Sequence, residues 1–176
     1  IEISDEFIGK TCFLYLERTR VTTLWINDMK IGTQNSLCTP HIYDITESLS
    51  PGIHTITILV DNTNYPTRGG HLTSPDTQTN WNGITGKIEL QIYSEAYLSD
   101  IQVYPDIKDR SATIKAKVKG LERGVVTVSA ESFNNKTVHS LEEKEFNFYA
   151  NKISIKYEFG EKALLWSEHE PNLYKL

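Results

Sequence analysis

The chain has 176 residues, a mass of 20.1 kDa, a formal net charge of −5 and an isoelectric point near 5.5. Because it is acidic and lacks a lysine- or arginine-rich run, we expect no nucleic-acid partner, and no apolar stretch is long enough to suggest a membrane partner. The two cysteines, Cys12 and Cys38, form neither a disulfide framework nor a metal-binding pattern.

The first half of the chain alternates apolar and polar residues with a period of two, which is typical of β-strands. Residues 61–82 interrupt this pattern with a polar stretch broken by proline and glycine, and loops of that length in compact β domains are usually functional or disordered. We predict strands on either side of it, at residues 13–17, 21–26, 54–60 and 87–92.

The second half continues the same rhythm, and no amphipathic helix of reasonable length is predicted anywhere. Its strands are expected at residues 97–103, 112–118, 125–131, 144–148 and 153–159. A break near residue 95 divides the chain into two β-sandwiches, residues 1–95 and 96–176. Both ends of the sequence have the pattern of strands that continue, so we expect an excised piece of a longer protein.

The most distinctive stretch is residues 80–86, where a tryptophan lies among amides and glycines directly after the long polar segment. Gly83 and Gly86 permit backbone conformations that other residues resist. An aromatic ring beside amides at the mouth of a sandwich suits sugar binding, because it offers a flat face and hydrogen bonds. The alternative is that Trp81 fills the core and the amides satisfy loop backbone.

Three motifs, taken together and in order, resemble glycoside hydrolase family 2, the β-galactosidase and β-glucuronidase family. The first is the hairpin LWINDMKIG at residues 24–32, followed by PHIYDIT at residues 40–46. The second is WNGITGKIEL at residues 81–90, and the third is LWSEHEPNLY at residues 165–174. The chain departs from the family pattern at Asp28, where glycine is usual, at Gly86, where many members have arginine, and at His169, where proline is usual.

The resemblance implies an all-β piece of a larger enzyme. Residues 1–95 would be a galactose-binding-like jelly roll whose first strands precede Ile1, and residues 96–176 an immunoglobulin-like sandwich whose last strand is cut. In this family a (β/α)8 barrel follows, and two of its glutamates perform retaining hydrolysis, which needs carboxyl groups about 5–5.5 Å apart. The acidic pairs of this chain are predicted to lie on solvated turns: Glu142 with Glu143, and Glu168 with Glu170. The piece is therefore expected to be non-catalytic.

The resemblance also implies that the loop before WNGI reaches toward the barrel mouth and contacts the non-reducing sugar. Asp76 is the candidate carboxylate, its rival role being that of a loop-capping residue. Asn80 and Trp81 lie beside it, and His71 could donate to sugar hydroxyls. Trp25 is expected in the first core, and Trp166 is expected to pack within the second sandwich.

No cofactor is expected. Asp61, Asn62, Asp76 and backbone carbonyls could form an oxygen cage for calcium or sodium, but no spacing marks such a site. The expected partners are a carbohydrate substrate and the catalytic barrel of the same parent chain, which could be a homo-oligomer. The expected compartment of the parent is the bacterial periplasm or the extracellular space. The alternative reading is a freestanding carbohydrate-binding or adhesion module, and a purely structural spacer is a third.

Overall fold

The structure is a computed structural model that describes residues 1–64, 69–70, 73–74, 76, 82–134 and 136–176. These residues form two compact units, Ile1–Glu95 and Ala96–Leu176. Both units consist of β-strands, which confirms the all-β prediction. Helical structure within the described ranges is limited to two turns of three residues, Asp5–Phe7 and Thr46–Ser48, and neither could span a bilayer.

The first unit contains two three-stranded antiparallel sheets and one short strand pair. The strands are β1 (Glu2–Ile3), β2 (Thr11–Arg18), β3 (Val21–Ile26), β4 (Met29–Gln34), β5 (His41–Asp44), β6 (Gly52–Ile53), β7 (Ile56–Asp61) and β8 (Thr85–Tyr93). One sheet has the order β5-β2-β8 and the other β4-β3-β7, while β1 pairs with β6. Apart from the β3–β4 hairpin, the sheets are held by pairings between strands that are not consecutive in sequence, which is common in sandwiches.

Alternation along the strands gives this unit its core. Every second residue of β2 and β3 is buried, and the side chains of both sheets pack into one cluster, so the two sheets face each other. Its buried members are Cys12, Leu14, Leu16, Leu24, Ile26, Tyr43 and Ile45. Fully burying an aliphatic side chain of this size contributes about 1.5–3 kcal/mol. Burial also raises the pKa of the Cys12 thiol, which suits a packing role.

Trp25 does not belong to that core. It lies between the buried Leu24 and Ile26 on β3, so its side chain points to the opposite face of the sheet, where it is half-buried. The prediction that Trp25 fills the core is therefore wrong, and the reason is the period of the strand: neighbouring residues cannot both face inward.

The pairing of β2 with β8 ends at a glycine corner. Gly83 and Gly86 both have positive φ, 79° and 89°, which confirms that this segment uses conformations favouring glycine. The carboxylate of Glu17 lies directly against the α-carbon of Gly86, and it accepts a 2.7 Å hydrogen bond from the backbone N–H of Lys87. An added β-carbon at Gly86 would meet Glu17, whereas one at Gly83 would meet open space.

The second unit contains six antiparallel strands. They are β9 (Tyr97–Asp106), β10 (Ser111–Lys119), β11 (Arg123–Ser132), β12 (Ser140–Tyr149), β13 (Lys152–Glu158) and β14 (Tyr174–Lys175), in the order β14-β11-β12-β13-β10-β9. Strands β12 and β13 pair only at Tyr149 and Lys152 within the described residues. The two halves of the sheet therefore separate beyond that turn and pack on each other around Ile114, Val128 and Tyr157.

Trp166 lies outside this packing. Its side chain is 64% exposed, and the residue forms an isolated bridge with Pro171. The prediction that Trp166 packs within the second sandwich is wrong: in this part of the chain Tyr174 packs against the second core, and Trp166 does not. Tyr174 stacks edge-on against Phe159, with 4.9 Å between ring centroids, and its hydroxyl accepts a hydrogen bond from the backbone N–H of Leu164.

A buried polar cluster lies inside the first unit. Nδ1 of His41 is 2.6 Å from the hydroxyl of Thr22, and Nε2 of the same ring is 2.8 Å from the backbone carbonyl of Ser36. The hydroxyl of Tyr43 donates to the backbone carbonyl of Thr22 at 2.9 Å. Burial lowers the pKa of His41 below its ordinary value, and the hydrogen bond to Ser36 offsets part of that shift. The ring is therefore neutral in the folded state at neutral pH.

This neutral histidine predicts a pH dependence of stability. His41 is protonated near pH 6.5 in the unfolded chain, and only at lower pH in the folded chain. The contribution of neutral His41 to the free energy of unfolding is therefore complete above about pH 6.5, and it decreases as the pH falls toward the folded pKa. Thermal unfolding of the wild type and of His41→Gln is measured from about pH 7.5 to about pH 5. The variant is expected to be less stable at the upper pH, by roughly 1–3 kcal/mol, and to lose less on acidification. His169→Gln, at a ring 89% exposed, is the control and should keep the wild-type profile. An unchanged acid dependence in His41→Gln would contradict this account.

The glycine corner predicts unequal costs for two alanine substitutions. Gly83→Ala carries only the strain of the left-handed backbone, about 1–2 kcal/mol. Gly86→Ala introduces the same strain and also displaces the Glu17 carboxylate from Lys87. We therefore expect it to lower the free energy of unfolding by about 1 kcal/mol more than Gly83→Ala does. Urea unfolding of both variants measures the difference. In the Glu17→Ala background, the two glycine substitutions should lower the free energy of unfolding by the same amount. An equal loss in the wild-type background would contradict the contact between Glu17 and Gly86.

Candidate functional site

Of the four residues predicted to bind sugar, the structure describes one. Asp76 is described, whereas His71, Asn80 and Trp81 lie outside the described residues. The grouping of these four side chains therefore stays a prediction. What the structure does define is the two ends of the polar segment that carries them, and the surface of the sheet beside it.

Asp76 presents an exposed carboxylate. Its backbone N–H donates to Oγ of Ser74 at 3.1 Å, and the Ser74 hydroxyl lies 3.4 Å from Oδ2 of Asp76. Within the described part of the chain, Ser74 is the only hydrogen-bond partner of this carboxylate. The contact is a local turn of the kind that aspartate commonly makes. Among the described residues, this one weak contact uses little of the acceptor capacity of the carboxylate.

The segment begins with a tightly bonded turn after β7. Asp61 accepts hydrogen bonds from the backbone N–H groups of Thr63 and Asn64, and from the side chains of the same two residues, at 2.7–3.1 Å. These bonds hold the pKa of the Asp61 carboxyl well below its usual range. Both oxygens of Asp61 are thus used by the turn, and the described residues contain no group of three acidic, histidine or cysteine side chains able to hold a metal. The calcium or sodium cage stays a prediction.

The segment ends on a buried support that sequence reasoning missed. The hydroxyl of Thr19, which is 1% exposed, donates to the backbone carbonyl of Gly83 at 3.2 Å, and Ile84 then packs against the first core. Arg20, next to Thr19, is only 9% exposed. Arginine is rarely buried, so its burial here is unusual. In the sequence, Thr19 and Arg20 lie between the strands predicted at residues 13–17 and 21–26, and that position was the signal that could have indicated this support.

The outward face of the β5-β2-β8 sheet combines aromatic and polar side chains. We define the aromatic–polar face as Phe13, Tyr15, Glu89, Gln91 and Tyr93. Phe13 is opposite Gln91 and Tyr15 is opposite Glu89 in the antiparallel pairing, so these side chains share the face that points away from the core.

Hydrogen bonds link the polar members of the aromatic–polar face. The amide of Gln91 donates to Glu89 at 3.2 Å, and Lys87 forms a 3.2 Å ion pair with the other oxygen of Glu89. The hydrogen bond from Gln91 and the ion pair with Lys87 lower the pKa of Glu89. Phe13 and Tyr93 stack edge-on at 5.9 Å. Aromatic rings and fixed acceptors side by side are the chemistry that sugars require.

The acidic residues of the second unit do not form a candidate catalytic pair. The side chain of Glu168 is 81% exposed, and Glu142, Glu143 and Glu170 are exposed as well. Acid–base glycosidase chemistry needs one carboxyl whose pKa is raised by an apolar surrounding. Solvated carboxyls at the surface lack that surrounding. The prediction that Glu142 and Glu143 lie on a turn is wrong, because both lie within strand β12, although their side chains are exposed as expected.

Comparison with known proteins supports the resemblance to the family. Residues 96–176 match the family model of glycosyl hydrolases family 2. Across 187 aligned residues the chain is 27% identical to a β-galactosidase from Clostridium acetobutylicum, and the alignment covers 99% of this chain but 19% of that protein. The chain thus spans about a fifth of the length of this relative.

Solved structures show the same fold. A β-glycosidase from Bacteroides vulgatus superposes with a TM-score of 0.69 at 20% identity, covering 99% of this chain and 22% of that one. A β-glucuronidase from Faecalibacterium prausnitzii has a TM-score of 0.69 at 18% identity, covering 99% and 33% of the two chains. These findings confirm the resemblance to glycoside hydrolase family 2 drawn from the three motifs, and residues 96–176 are the part of the chain that the family model matches.

Proposed function

We propose that this chain is the sugar-binding and immunoglobulin-like part of a retaining exo-β-glycosidase of the β-galactosidase type. In this role it is non-catalytic, shapes the substrate entrance and supports a catalytic barrel. The observation that carries the proposal is the alignment with the Clostridium acetobutylicum β-galactosidase, which covers nearly all of this chain but only a fifth of that enzyme.

The chemistry of the described residues supports a substrate-positioning role for the first unit. The polar segment is fixed at its start by the Asp61 turn and at its end by Thr19 and Gly83. Between these anchors Asp76 presents an exposed carboxylate, whose one contact with a described residue is the weak bond from Ser74. Such a group can accept hydrogen bonds from two sugar hydroxyls, each stronger than a neutral hydrogen bond because the acceptor is charged.

A kinetic comparison in the full-length protein tests the proposal. Turnover of chromogenic β-galactosides and β-glucuronides is expected from the full-length enzyme and not from the 176-residue chain. Asp76→Asn should lower kcat/KM roughly tenfold or more, since a hydrogen bond to a charged group is worth about 1.5–3 kcal/mol. Asp28→Asn, an exposed carboxylate in the β3–β4 turn, is the matched control and should leave kcat/KM unchanged.

Two outcomes would contradict different parts of this proposal. Turnover by the 176-residue chain would contradict its non-catalytic role. Equal kcat/KM for Asp76→Asn and Asp28→Asn would contradict the sugar contact of Asp76 while leaving the domain assignment intact.

The aromatic–polar face favours a second candidate function, a freestanding carbohydrate-binding module. On this reading the 176-residue chain binds galactose-, glucuronate- or mannose-containing oligosaccharides by itself, in calorimetric titration. Tyr15→Ala should then weaken binding roughly tenfold, because it removes a stacking surface. Tyr149→Ala, at a tyrosine 68% exposed in the second unit, should not. The absence of measurable binding by the wild-type chain would exclude this candidate.

A further inference from the structure

One face of the second unit is basic, although the chain as a whole has a net charge of −5. Side chains at alternate positions of β10 and β13 point outward from the core, and most of them are lysines. The lysine face consists of these side chains and of those on the adjoining β9 that share the outward side. Its members are Gln102 and Tyr104 of β9, Lys115, Lys117 and Lys119 of β10, and Lys152, Ser154 and Lys156 of β13.

Two cations of the lysine face are opposite each other. In the antiparallel pairing of β10 with β13, Lys117 is directly opposite Lys152. Like charges at directly opposite positions destabilise a sheet. Asp100 relieves part of the repulsion, because its carboxylate forms a 2.8 Å ion pair with Lys117. A bound anion would stabilise the remaining excess of positive charge.

The positive charge of the lysine face exceeds the negative charge that adjoins it. In the described part of the chain, its ion pairs are those of Lys117 with Asp100 and of Lys156 with Asp109. The three other lysines of the face form no ion pair with the described residues. Asp106 and Glu158 lie at the far end of the strands, both opposite Ser111, which is four residues, or about 13 Å, from Lys115 along β10.

A recess lies in the lysine face around the two opposed cations. It has a volume of about 260 Å³, and its polar lining is Asp100, Gln102, Lys115, Lys117, Lys152 and Ser154. The side-chain amide of Gln102 donates to Asp100 at 3.2 Å and accepts a hydrogen bond from the Tyr104 hydroxyl. The ammonium group of Lys115 lies 5.2 Å from the centroid of the Tyr104 ring, and Tyr104 is 49% exposed. Three ammonium groups, an amide and a hydroxyl thus adjoin an accessible aromatic ring.

We propose that the lysine face binds an anionic polysaccharide, whose sugar units carry carboxylate or sulfate groups. Ammonium groups form strong, charge-assisted hydrogen bonds with such groups. Sugar hydroxyls can bond with Gln102 and Ser154, and the apolar face of a sugar ring can lie on Tyr104. An acidic peptide matches the charges but leaves the aromatic ring without a flat partner. The inference uses residues of the second unit alone and is independent of the catalytic role proposed above.

Calorimetric titration of the 176-residue chain with polygalacturonate, an anionic polysaccharide, tests the proposal. The wild type should bind polygalacturonate and not neutral dextran. Its affinity should fall as the salt concentration rises from about 0.02 M to about 0.3 M, because salt screens exposed charges. The double variant Lys115→Gln, Lys152→Gln should bind roughly fivefold more weakly or worse. Lys30→Gln, Lys136→Gln removes two exposed lysines outside the lysine face and is the matched control, which should bind like the wild type.

Thermal unfolding and a second polyanion complete the test. The Tm of Lys115→Gln, Lys152→Gln should be no lower than that of the wild type, because the repulsion between Lys117 and Lys152 is removed. Tyr104→Leu should weaken the binding of polygalacturonate but not that of polyglutamate, because only the sugar can stack on the ring.

Three results would overturn the proposal. The first is the absence of polygalacturonate binding by the wild type, and the second is an equal affinity of the two double variants for polygalacturonate. The third is polyglutamate binding as tight as that of polygalacturonate and unaffected by Tyr104→Leu, because an acidic peptide would then be the occupant.

Discussion

The antiparallel pairing of β2 with β8 is the interaction on which the first unit depends. It joins Thr11–Arg18 to Thr85–Tyr93 and so closes a loop that contains most of the unit. The entropic cost of closure grows only with the logarithm of loop length, and the alternate buried residues of both strands offset it. The same pairing creates the aromatic–polar face on one side and the core on the other. It also delivers Gly83 and Gly86 to the end of the polar segment.

Much of this architecture follows from the sequence, because the period-two pattern reports which side of a strand is buried. The strands predicted at residues 13–17 and 21–26 are present as β2 and β3, and the residues that match the family model include the third motif. Trp25 and Trp166 show the limit of the method. Size and hydrophobicity favour burial for both, but the alternation of β3 turns Trp25 outward, and Trp166 is exposed while the nearby Tyr174 packs on the second core.

The polar segment that carries the candidate site was predictable from the sequence, whereas the residues that support its end were not. The polar segment is recognisable from its composition. The roles of Thr19, Arg20 and Glu17, by contrast, depend on which distant residues the strand pairing brings together. A sequence pattern reports local periodicity and carries little information on such pairings. The proposed substrate entrance depends on such pairings, because Thr19 holds Gly83 and Glu17 holds Lys87.

The size of the native polypeptide tests the central claim most directly. An antibody raised against this chain is used to probe an extract of the source cells by immunoblot. The proposed membership in a larger β-glycosidase predicts a band several times heavier than 20.1 kDa. A band near 20.1 kDa would contradict it, and the aromatic–polar face would then be the first surface to test for carbohydrate binding.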